Sequence, residues 1–203
     1  MSADALWYLA RGAGAVSLIL LTVVVALGIG TRSGRRFLGM SRLVVASVHR
    51  SAALLSVVFL IVHVTALMFD PYAQLKLVDL VLPFTSTYRP LWVGLGAVGL
   101  DLMVAIVVTS LLRERIGQRV WKGVHWFAYA LWPVALAHGI GSGSDRSVFW
   151  MLAIDTACVL AVIGVLASTH PALRAAQPSR TPAASHPGSG DHRVLAESRR
   201  SAR

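Results

Sequence analysis

The sequence predicts an all-α integral membrane protein, a bundle of about five transmembrane helices, on two observations. Of the 203 residues, 56% are hydrophobic and only 14% charged, which is too apolar for a soluble domain, where roughly a quarter of residues carry charge. Five stretches are also long enough to cross the hydrocarbon core of a bilayer, which takes about 20 mostly apolar residues. The single cysteine, Cys158, lies in an apolar run and can close no disulfide within the chain, so cysteine usage leaves the redox compartment open.

The first span is expected over 7–30, an uncharged run from Gly12 to Gly30 led by Trp7 and Tyr8. A cleaved secretory signal competes for this segment, but its charges follow it, at Arg32, Arg35 and Arg36, which fits an uncleaved span. The second span covers 43–69, the third 91–112, the fourth 120–140 and the fifth 148–168. Between the second and third, PYAQLKLVDLVLP has apolar residues at helical spacing, with Lys76 and Asp79 on the other side. It reads as a short interfacial helix on the outer leaflet. Residues 1–169 are thus expected to form the transmembrane domain. Residues 170–203, rich in Pro, Ser, Ala and Arg, are expected to be a disordered cytoplasmic tail unable to bury a core.

The basic residues orient the bundle. Four fall in the connection 31–42, four in 113–122 and six after Thr169, against few in the other connections. Basic loops stay in the cytoplasm, so the N-terminus is expected outside and the C-terminus inside, in a multi-pass cell membrane protein of the bacterial plasma membrane type. The net charge of +10 then reflects topology and attraction to anionic lipid. Scattered through short loops without stacking aromatics, it does not suggest nucleic-acid binding.

Four histidines lie in the apolar part as two pairs, His49 with His63 and His125 with His138, spaced by 14 and 13 residues. Each pair spans roughly 20 Å along a helix, so no single metal ion can touch both members. The second and fourth spans run in the same direction in the expected topology. One imidazole from each helix therefore meets at two depths: His49 with His125 at an inner site, and His63 with His138 at an outer one. Zinc wants four donors, and no Cys, Asp or Glu lies within a turn of any of these histidines. Haem brings four equatorial nitrogens and needs only axial ligands. The bundle is therefore expected to hold haem between its second and fourth spans.

Helical phase fits one pair better than the other. His49 and His63 fall about 40° apart around an ideal helix, and Ala52, Ala53, Ser56 and Leu60 between them leave room for a flat macrocycle. His125 and His138 fall about 140° apart on an ideal helix. Pro133 lies between them, and a kink or change of winding there would restore the phase.

The segments HRSAALLSVVFLIVH and HWFAYALWPVALAH, the latter followed by GSGSD, resemble the ferric-reductase-like transmembrane domain. That superfamily includes the membrane domains of NADPH oxidases and ferric reductases and the haem-binding subunit of the periplasmic methionine sulfoxide reductase system. The resemblance runs from about Trp7 to Thr169 and includes LVDLVLPFTSTYRPLWVGLG. It implies that His49, His63, His125 and His138 are the axial ligands of two b-type haems. Better known members have six spans rather than five, and the oxidases and ferric reductases carry a flavin and nicotinamide module. No such module is expected in the 34 residues after Thr169, and Gly94, Gly96 and Gly99 read as helix-packing glycines within a span.

Haem propionates need cationic partners. Arg50 and Lys122 flank the inner site, and Arg89 and Arg146 lie in the connections nearest the outer one. Trp132, with Trp126 and Phe127, is placed to pack against haem or fill the space between two haems. Asp101 and Asp155 lie within spans, where a carboxylate is costly, and their role stays open. The expected function is a b-type cytochrome relaying single electrons across the membrane, from a cytoplasmic or membrane donor to an extracytoplasmic acceptor. The donor would be a separate flavin reductase or a quinol, with quinone or flavin bound at a partner interface. The chain would serve an oxidoreductase system as its electron-transfer subunit. Two other classes compete: a haem-free transporter or structural membrane subunit, and a quinol-linked cytochrome b anchor of a respiratory dehydrogenase.

Overall fold

In the computed structural model, residues 3–32, 39–71, 73, 75–142 and 149–169 are described, all within the unit Met1–His170. Every regular element among them is helical. Four helices are long and apolar enough to cross a membrane: α1 (Ala3–Arg32), α2 (Arg42–Met68), α4 (Pro90–Leu111) and α8 (Phe149–Thr169). Short helices α3 (Leu77–Val81) and α5 (Arg113–Ile116) occupy connections. The expected tail, residues 170–203, and Arg146 lie outside the described residues.

The expected span at 120–140 is not one helix. It is built from α6 (Gln118–His125) and α7 (Ala128–Ser142), joined by a turn at Trp126 and Phe127. At the joint the amides of Phe127, Tyr129 and Ala130 bond to the carbonyls three residues back. Such winding advances about 20° more per residue than an α-helix, so a few residues bring His125 and His138 to less than a right angle apart. Pro133 itself lies inside α7. It lacks an N–H and crowds the carbonyl four residues earlier, at Tyr129. The change of winding occurs, but one turn ahead of the proline.

α1 is the hub. It packs on α2, α7 and α8, while α4 packs on α6 and α7. More than half of its most apolar window is buried, against much less in the other three spans. Ala10, Ala13, Ala15 and Ser17 are small enough to let neighbouring backbones close in. Ser17 and Ser56 of α2 lock the pair: each hydroxyl donates to the other residue's carbonyl, at 3.0 and 3.1 Å. Ser56 is only 1% exposed, so it faces α1 rather than a space between His49 and His63. A core of Leu21, Met103, Ile106 and Leu131 joins α1, α4 and α7, with Trp132 packed on it.

The ends of the elements are set locally. Ser41 caps α2 by accepting from the Val44 amide. Gly117, at φ 80°, makes the turn between α5 and α6 that an L-side chain resists. In the connection before α4, α3 keeps its apolar residues on the side opposite Asp79, as its spacing predicts. Asp79 is buried, accepting from the Lys76 amide and the Thr85 hydroxyl, both at 3.0 Å, while Leu77, Val78 and Val81 point outward. A carboxylate that ties its own loop needs no water, which frees the apolar face to point away from the bundle.

Arg89 opens α4 in a left-handed conformation, with Pro90 at the first helical position. Its Nη1 donates to the carbonyls of Gly141 and Ser142, both at 3.2 Å, closing the last turn of α7. A cation on terminal carbonyls is worth about 1–2 kcal/mol. Arg89→Ala is therefore expected to destabilise the protein by about that amount, read in a detergent unfolding titration, with Arg89→Lys recovering part of the loss.

Candidate functional site

The four histidines come together as two pairs. The rings of His49 and His125 are 6.3 Å apart, centroid to centroid, and tilted by 57°. The rings of His63 and His138 are also 6.3 Å apart and tilted by 84°. α2 is not one of the close-packed neighbours of α6 or α7, so between these helices the imidazoles do much of the reaching.

That separation lies in the ordinary range for packed rings, and it also fits a shared metal ion. Two imidazole nitrogens on opposite sides of one first-row metal ion, each bonded at about 2.0 Å, put the ring centroids a little over 6 Å apart. Among the described residues no three His, Cys, Asp or Glu side chains converge on a point. Each pair therefore suits a metal that needs two protein ligands and brings the rest of its coordination, which is the case for haem iron.

The hydrogen bonds decide which nitrogen is available. His63 Nδ1 is 2.7 Å from the Ala10 carbonyl on α1, and His138 Nδ1 is 2.7 Å from the Trp92 carbonyl on α4. A carbonyl only accepts, so each Nδ1 carries the proton and each Nε2 keeps its lone pair. This is the arrangement in which a metal-binding histidine is held by its second nitrogen. At the other pair the support is uneven. His49 faces the Val24 backbone of α1. His125 stacks on Trp121, centroids 5.1 Å apart, and its buried Nδ1 has no hydrogen-bond partner.

The other expected site residues are distributed as follows. Arg50 and Lys122 are exposed, one residue after His49 and three before His125. Arg89 lies on the end of α7 a turn beyond His138, tied to its carbonyls as described above. Trp132 stands midway between His125 and His138 in the chain, and its indole N–H donates to Thr22 Oγ1 of α1 at 2.9 Å. Trp126 and Phe127 are exposed. Asp101 is exposed on α4, whereas Asp155 is 8% exposed and its Oδ1 has no hydrogen-bond partner. Val25, Trp126, Tyr129, Trp132, Pro133 and Leu166 are among the residues that line a cleft of about 640 Å³.

Sequence reasoning missed the supporting residues. Ala10 and Trp92 act through their backbone, which no residue type advertises. Arg11 counts in the sequence only as a terminal charge, yet it is buried, with its guanidinium 5.3 Å from the Trp7 ring centroid and 5.4 Å from that of Trp150. A signal for the α1 contribution was present, because Gly14 and Gly28 are 14 residues apart, as His49 and His63 are.

A family model described as ferric reductase like transmembrane component matches residues 13–136. The matched stretch contains His49, His63 and His125 and stops two residues before His138. No curated protein and no solved structure matches the chain.

Proposed function

Because the chain belongs to the family of ferric reductase like transmembrane components, we propose that it is a b-type cytochrome carrying single electrons across a membrane through two bis-histidine haems. The observation that carries this reading is the repeated 6.3 Å separation of the two imidazole pairs. One pair alone would be explained by a helix-to-helix contact in the membrane. Two pairs, each joining α2 to the α6–α7 segment at the same separation, argue for a repeated cofactor.

His63 and His138 would hold one haem, and His49 and His125 the other, each through Nε2. Bound haem supplies the one-electron Fe(III)/Fe(II) chemistry, and the protein contributes binding, depth and electronic tuning. The Ala10 and Trp92 carbonyls orient two of the imidazoles and raise their basicity. Leu21, Met103, Ile106, Leu131 and Trp132 fill the middle of the bundle and exclude water from the space between the two pairs. Arg50 and Lys122, with Arg89 and Arg146 toward the other end, are the cations from which propionate partners are drawn. The N-terminus faces outside and the C-terminus the cytoplasm, which puts His49 and His125 on the donor side. Donor and acceptor are separate proteins or small molecules. The donor would be a separate flavin reductase or a quinol.

Purification after haem-replete expression, with haem quantified by its pyridine complex, tests the proposal. Two haems per chain with low-spin spectra are expected. A colourless, correctly folded protein would sink it and favour the haem-free transporter or structural subunit.

A further inference from the structure

Two of the four imidazoles donate to a helix carbonyl that has a glycine one turn later, and a third faces such a backbone. His63 bonds to the Ala10 carbonyl, and Gly14 follows four residues on; His138 bonds to the Trp92 carbonyl, and Gly96 follows four residues on. His49 faces the Val24 backbone, with Gly28 four residues on. In an α-helix the residue at i+4 sits directly above the carbonyl of residue i. Its side chain would therefore cover that carbonyl from the direction in which the imidazole arrives.

The clearances differ. A Cβ at Gly14 would lie 2.9 Å from His63 Nδ1, and one at Gly96 would lie 2.6 Å from His138 Cε1 and 2.7 Å from its Nδ1. Both contacts are with rigid rings, whose only relief is to leave the carbonyl. A Cβ at Gly28 would meet His49 Cε1 at 4.0 Å, an ordinary contact. His125 has no such cradle, and its Nδ1 is unpartnered.

We propose that Gly14 and Gly96 are positioning residues of the His63–His138 site. By leaving two helix carbonyls open to imidazole N–H groups, they set both histidines as Nε2 ligands before any cofactor arrives. The His49–His125 pair lacks this on one side, so the His63–His138 site fills first as haem is supplied. The inference rests on the haem reading of the two pairs and adds to it an order of assembly and the residues that impose it.

The test is haemin titration into the full-length chain in detergent, with the two spectral components assigned by His63→Ala and His49→Ala. Gly14→Ala and Gly96→Ala are each expected to weaken the His63–His138 component about 10- to 100-fold, the usual cost of losing a hydrogen bond behind a metal ligand. The other component should persist. Gly12→Ala and Gly139→Ala, whose new Cβ atoms would meet nothing within 4 Å, should leave both unchanged. In the unsubstituted chain the His63–His138 component should saturate first. Nitrogen-15 NMR of labelled histidine before haemin is added needs no variant, and should show His63 and His138 protonated at Nδ1. Either ring protonated at Nε2 instead, or unaltered haemin binding in both glycine variants, would overturn the inference. If the unsubstituted chain binds no haemin, or His63→Ala removes no component, the haem reading itself fails.

Discussion

Haem content is expected to fall from two per chain to about one when either His63 or His138 is replaced by alanine, with the second haem retained. Each site offers only two protein donors, and among the described residues no third His, Cys, Asp or Glu converges to replace a lost one. The surviving imidazole is still held to its carbonyl at 2.7 Å, so the fold around it has no reason to change. His49→Ala and His125→Ala should give the reciprocal loss. The two ring pairs are tilted by 84° and 57°. Their low-spin ferric signals should therefore separate in electron paramagnetic resonance, with the more perpendicular pair showing the larger g anisotropy. Loss of both signals in every variant would instead mean that the four histidines support one shared structure rather than two sites.

Ser56→Leu should produce a large packing defect at the α1–α2 contact, away from the histidines. Ser56 is fully enclosed between α2 and α1 and exchanges two hydrogen bonds with Ser17. Leucine there would wedge the helices apart, costing about 1–3 kcal/mol in overpacking, and would remove interhelical bonds worth about 0.6 kcal/mol each in membrane proteins. The damage should propagate to cofactor binding, because α1 carries the Ala10 carbonyl that orients His63. Unfolding in a detergent titration, followed together with haem retention, should show both losses for Ser56→Leu. Ser56→Ala should show only the smaller stability loss. Haem loss in Ser56→Ala equal to that in Ser56→Leu would point to a direct role for the hydroxyl.

The sequence by itself determined the class of the protein and the residues around which it is organised. Hydrophobic length decides which segments can cross a bilayer, and a spacing of 14 residues puts His49 and His63 on one face whatever else surrounds them, because helix geometry is local. The same local rules located the trouble in the fourth expected span but not its resolution. Pro133 announces a disturbance, whereas the folded chain breaks the helix earlier, at Trp126 and Phe127. Helical spacing likewise put Asp79 opposite the apolar residues of α3, but its burial against the Lys76 amide and the Thr85 hydroxyl came only with the folded loop.

What the tertiary structure alone decided is the support behind the imidazoles. The pairing of His49 with His125 and of His63 with His138 was an inference from depth, and the folded chain brings those rings together. The carbonyls of Ala10 and Trp92, the clearances at Gly14 and Gly96 and the unpartnered Nδ1 of His125 could not be read in advance. The physical reason is that a backbone carbonyl is the same group at every residue. Whether it faces an imidazole, and whether the residue one turn later leaves it uncovered, is settled only when two helices far apart in sequence come into contact.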